Sequence, residues 1–208
     1  MSALVRLVRR FGADQSGAGA AEFALIVPLM LLLLFGIIEV GTYAWTINKS
    51  EKATQMGARM AVVTDPVATG LNLDYVGLTI GGQTLGQGDT IPLNSMLVTC
   101  NSTACSCSGC PAGMTVALAT GSPSPFNRIV QRMQNFDSTI TAANVEVLYR
   151  SSGLGYAGDP SGMDISPLIT VRLKNRTYQA PFLFKTAIPL PSSSYSLTME
   201  DASGSVSN

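Results

Sequence analysis

A short, basic stretch from Met1 to Ser16 stands ahead of sixteen residues without a charge, Phe23 to Ile38, built mainly of Leu, Ile and Val. Glu22 and Glu39 bound this run, and the apolar character resumes through Val40 to Tyr43 and Trp45. As a helix, the stretch from Phe23 to Trp45 covers roughly 35 Å at ~1.5 Å per residue, enough to cross a hydrocarbon core of ~30 Å. Past the span the pattern changes and the helix is expected to continue. Ala53, Met56, Met60 and Val63 recur at helical spacing, while Lys49, Lys52 and Arg59 occupy other faces, until Asp65-Pro66 stops it.

The remainder alternates between short apolar runs and turn residues. Val76 to Ile80, Ser95 to Thr99 and Met114 to Ala119 are expected strands, separated by turns such as Gly81-Gly82. Ser124-Pro125 supplies an N-cap and first-turn pair for a second helix whose buried face is Phe126, Ile129, Val130, Met133 and Phe136. Val145, Val147 and Tyr149 alternate as a strand, as do Ile169, Val171 and Leu173. The expected fold class is α+β: a long N-terminal transmembrane helix continuing into an exported domain with an antiparallel sheet and a second helix. The expected divisions are a basic leader over 1–17, membrane helix and stalk over 18–64, an exported domain over 65–191, and a polar, fraying tail over 192–208.

Charge adds orientation. Arg6, Arg9 and Arg10 precede the span, whereas Lys49 and Lys52 beyond it are interleaved with Glu51, so the N-terminus is expected in the cytoplasm and the bulk of the chain outside it. Tyr43 and Trp45 suit the far interface, although simple helix packing would also place them. Thirteen basic and thirteen acidic residues balance over the whole chain; nothing concentrates into the basic face that a nucleic-acid partner requires. There is no histidine, which removes the commonest base and metal ligand, and no nucleophile-base or metal constellation is visible. No enzyme, cofactor or metal is expected.

Small residues precede the apolar run, Gly17-Ala18-Gly19-Ala20-Ala21-Glu22-Phe23, which reverses the order of a secretory signal peptide. A cut after Gly17 would remove the basic leader, keep the membrane helix, make Ala18 the new N-terminus and put Glu22 at its fifth position. This geometry resembles the type IV prepilin rule, in which a membrane aspartic peptidase cuts after a glycine that is followed five residues on by a glutamate. A carboxylate at the end of a lipid-buried helix is costly without a partner. The amine freed at Ala18 would be one, as in pilin-like filaments where the glutamate of one subunit meets its neighbour's N-terminus; the bland alternative leaves Glu22 hydrated at the interface. Glu39 is expected at the opposite interface, without a role.

The wider stretch from Gly17 to about Ala61 resembles the TadE-like domain of tight-adherence (Tad, or Flp) pilus systems. The resemblance rests on the small-residue run into Glu22-Phe23, Pro28, the Leu-rich core, Phe35-Gly36-Ile37-Ile38-Glu39, and Ala53-Thr54 through Gly57-Ala58-Arg59. It implies a pilin-like protein or a membrane-anchored pilus assembly factor. The implied partners are inner-membrane lipid, a prepilin peptidase and other pilus subunits, with the C-terminal domain in the periplasm. Major pilins of these systems often carry Tyr after the glutamate; Phe23 here favours a minor pseudopilin.

Cys100, Cys105, Cys107 and Cys110 crowd into one expected Ser/Gly-rich loop. In an oxidising compartment they favour two disulfides, Cys100–Cys105 with Cys107–Cys110 or a crossed arrangement; a four-thiolate zinc site is the competing reading. Gly153-Leu154-Gly155-Tyr156-Ala157-Gly158 fits a dinucleotide fingerprint in letters only, because Asp159-Pro160-Ser161-Gly162 follows where a helix is required. Two readings remain: a minor pseudopilin cut after Gly17, or an uncut membrane-anchored assembly factor.

Overall fold

The computed structural model describes residues 17–199 apart from 94, 113, 161, 183 and 184. The basic leader up to Ser16 and the last nine residues therefore lie outside the described residues. The architecture is α+β. One helix, Ala18–Val63, comes first; a five-stranded antiparallel sheet and a second helix follow. The chain divides into two compact units, one holding the first helix up to Ala44 together with Gln179–Ile188, the other running from Trp45 to Tyr178 and resuming at Pro189.

In the first unit the helix is apolar on all sides and open on almost all of them. Phe23, Leu25, Ile26, Leu29, Leu32, Leu33, Ile37 and Val40 are all exposed, in a stretch whose mean hydropathy reaches 2.7 over eighteen residues. A helix hydrophobic all round belongs in an apolar solvent, since in water each such side chain would forgo ~1.5–3 kcal/mol of burial. Among the described residues this is the one helix long and apolar enough to cross a membrane. Pro28 lies inside it, a position that membrane helices tolerate.

The second unit contains the remaining helical turns, from Trp45 to Val63, and here the pattern becomes one-sided. Ala53, Ala58, Met60, Ala61 and Val62 are buried while Glu51, Lys52 and Arg59 face outward. Helix, second helix and sheet meet at Gly57, where an added Cβ would stand 2.8 Å from Met133 Cγ and 3.3 Å from Val171 Cγ1. The helix ends at Val63, just before Asp65-Pro66.

The second helix, Pro125–Gln134, starts as its sequence dictates: Pro125 occupies the first turn and the Ser124 hydroxyl accepts the Asn127 N–H at 3.3 Å. Phe126, Ile129, Val130 and Met133 are buried; Phe136 falls past the helix end and is half-covered. The sheet runs in the order β4-β3-β5-β6-β9, with β3 Leu97–Cys100, β4 Cys105–Ser108, β5 Val145–Arg150, β6 Leu168–Leu173 and β9 Ser193–Thr198. Val98, Cys100, Val147, Tyr149, Ile169 and Val171 line the core. Tyr149 is fully buried, its hydroxyl accepts the Val67 N–H at 2.8 Å, and desolvation raises its pKa.

Two smaller ribbons complete the fold. β1 Thr79–Ile80 pairs with β2 Gln83–Thr84 across Gly81-Gly82, both at positive φ, the conformation a two-residue hairpin turn requires. β7 Thr177–Gln179 pairs with β8 Ala187–Pro189. Three expectations need correction. Met114 to Ala119 is not a strand: its ladder consists of one bridge, Ala68 to Leu118, with flanking bonds to residues 67 and 69, because so short a partner follows Pro66. Cys105–Ser108, expected as loop, is a strand. The polar tail does not begin at Ser192, since Ser193–Thr198 pairs with β6 along its length, its half-buried Tyr195 and Leu197 alternating with exposed Ser194 and Ser196.

Candidate functional site at the N-terminus and the elements that hold its helix

The helix carrying the candidate processing motif begins directly after Gly17. Gly17, Glu22 and Phe23 are all exposed, Phe23 by 69%. Among the described residues nothing lies within 4 Å of where a Cβ on Gly17 would stand, and its φ is not among the positive ones. The described residues therefore place no steric demand for glycine at 17. Glu22 follows Ala18, the first helical residue, by four positions, so both lie on one side of the first turns. The first turn itself holds no acidic residue, and among the described residues Glu22 is the first carboxylate along the helix from its positive end.

Beyond the apolar stretch, Trp45 is 68% exposed and lines a cleft of about 490 Å³ with Asn48, Lys49, Lys52 and Phe136. The helix is then gripped by a buried polar cluster that no sequence pattern announced. The Arg176 guanidinium donates to Ser50 Oγ on the helix, to Asp137 Oδ2 at 2.7 Å and to Thr139 Oγ1. Asp137 Oδ1 also faces Lys49 Nζ at 3.5 Å and accepts from the Thr139 backbone and hydroxyl. Burial alone would push the Asp137 carboxyl up; the hydrogen bonds from Thr139 and the bond and charge of Arg176 outweigh it and hold the carboxyl below its ordinary range.

The four cysteines are joined as Cys100–Cys105 and Cys107–Cys110, the uncrossed arrangement. Cys100 and Cys105 stand opposite each other where β3 meets β4, with Cα atoms 4.1 Å apart. Their turn is organised by Asn101, whose side-chain oxygen accepts from the Thr103 N–H and hydroxyl and from the Ala104 N–H. Gly109, between the second pair, has φ +69° and would set a Cβ 2.4 Å from the Ser95 carbonyl oxygen. Alkylation of the folded chain without reductant should label none of the four cysteines; four reactive thiols before reduction would overturn the pairing.

The glycine-rich segment at 153–158 leads into no helix. Gly155 bridges to Ile165, and the Asp164 carboxylate accepts the backbone N–H groups of Tyr75, Gly158 and Asp159 at 2.8, 2.9 and 3.0 Å. Asp164 is thus a loop clamp. Burial, and after it the charge of Asp164, push the Tyr75 hydroxyl up to about 12.

No curated protein and no solved structure matches the chain. Residues 17–59 match the family described as TadE-like protein, from the candidate cleavage glycine through the membrane stretch to the start of the buried stalk. Over that segment, about a fifth of its length, the chain is similar to TadE-like proteins.

Proposed function

We propose that this chain is a minor pseudopilin of a Tad/Flp-type pilus, processed after Gly17 and needed for pilus assembly. The TadE-like segment supports a role in such a system. The observation that carries the finer reading is Gly17 itself: the fold leaves the site open and unstrained, so a requirement for glycine there would have to come from an enzyme that reads the segment. Processing leaves an exposed apolar helix with Ala18 at its tip and Glu22 one turn further on, suited to leave the bilayer and pack against like helices. The C-terminal domain would then lie in the periplasm, and the membrane partner would be the inner membrane.

The test follows from the same observation. Gly17→Ala should leave folding unchanged, because no atom is in the way, and should abolish or strongly slow removal of the leader. Mass spectrometry of the N-terminus in wild type and variant reads the outcome. An intact leader in the wild-type protein would instead support a permanently anchored assembly factor.

A further inference from the structure

Phe182 belongs to the connection between β7 and β8, yet its ring lies stacked on Phe35 of the membrane-type helix, with centroids 5.5 Å apart and planes 8° from parallel. Both residues are in the same compact unit. Phe35 is thirteen residues beyond Glu22, about 20 Å along the helix axis, and so falls inside a hydrocarbon layer of ~30 Å that begins near Glu22. It also lies within the uncharged run that ends at Ile38. Phe182 remains 50% exposed at that level. Ala180 and Pro181 precede it, and the first charge after it in the sequence is Lys185.

We propose that Phe182, stacked beside the helix at the level of Phe35, is a second membrane-contacting residue, its open face set among the acyl chains of the bilayer. The occupant of the exposed face of Phe182 is lipid acyl chain. Irregular backbone is costly in lipid because its polar groups lack partners. At the described ends of this connection the Ala180 N–H donates to the Thr186 carbonyl at 3.2 Å, and Pro181 has no N–H to satisfy. Lys185 follows in the sequence and can extend its stem along apolar surface while its ammonium reaches lipid phosphate. The inference rests on the helix crossing a bilayer.

Depth-dependent fluorescence quenching tests it in the full-length chain reconstituted into phosphatidylcholine vesicles. Trp45 is the sole tryptophan and largely exposed, so Trp45→Phe gives a silent background. Three single reporters are then compared: Phe182→Trp, Leu29→Trp in the apolar stretch, and Leu154→Trp in the glycine-rich loop, all at exposed positions where aromatic replacement leaves the core untouched. The Phe182→Trp reporter should be quenched by phosphatidylcholine brominated near the head of its acyl chains and be several-fold less sensitive to acrylamide than the Leu154→Trp reporter. Behaviour like the Leu154→Trp reporter overturns the proposal. Blue-shifted emission protected from both quenchers also overturns it, since polypeptide, such as a second copy's helix, would then cover the ring. If the Leu29→Trp reporter also escapes the brominated lipid, the membrane reading itself falls and this inference with it.

Discussion

Arg176→Met should destabilise the domain by about 3–5 kcal/mol, the range for removing one partner of a buried ion pair. The side chain is enclosed, as is its partner Asp137, so the substitution strands a carboxylate in a dry site with Lys49 at 3.5 Å as its remaining cation. Thermal unfolding of the detergent-solubilised protein, followed by circular dichroism, measures the loss. Arg176→Met combined with Asp137→Asn should recover part of it, because the stranded charge is gone while Thr139 keeps an acceptor. The pH dependence has a definite sign. Asp137 has a folded pKa below its ordinary value near 4, so its contribution is complete above that value and is lost as pH falls through the folded one. The stability gap between wild type and Arg176→Met should therefore be full at neutral pH and close progressively below about pH 4. A gap independent of pH would mean that Arg176 acts through packing alone.

Glu22→Ala should separate processing from assembly. Under the proposed function, cleavage leans mainly on the glycine and docking within a filament on the charge, so the variant should still insert and still be cut. It should then fail to enter pili. In lipid an unpaired N-terminal ammonium is costly, and a neighbouring carboxylate offsets that cost. Glu22 is exposed in the single chain and available to such a neighbour. The quantity to measure is the fraction of processed protein recovered with sheared filaments at equal expression. Equal recovery of wild type and variant would reduce Glu22 to a hydrated interfacial residue.

Features governed by local chemistry were legible in the sequence. Helix continuation to Val63, the Ser124-Pro125 start, and the alternation at 145–149 and 169–173 all emerge because periodicity and capping act over a few residues. Features created by distant pairing were not. β4 reads Cys-Ser-Cys-Ser, with no β-branched or aromatic residue, and is a strand because β3 offers it a ladder. β9 hides its Tyr195/Leu197 face among serines. Arg176 meets Ser50 across 126 positions and Asp137 across 39, and isolated charges at such separations carry no periodic signal. Glu39, expected at the far interface without a role, is 6% exposed, a burial its sequence position did not announce. In the candidate site, the motif residues were all named from sequence, whereas the grip on the stalk below Trp45 was not.

Both cysteine pairs close within eleven residues, with sequence separations of 5 and 3. Loops this short add only roughly 2 kcal/mol each through unfolded-chain entropy. Their larger consequence concerns timing during biogenesis. If the domain is exported as proposed, every sulfur has its mate at hand once Cys110 clears a translocation channel, before any of β5, β6 or β9 exists outside it. An oxidant waiting at the exit can then finish this covalent work on a nascent segment, and residues 111–208 bring no further cysteine to compete for a wrong partner.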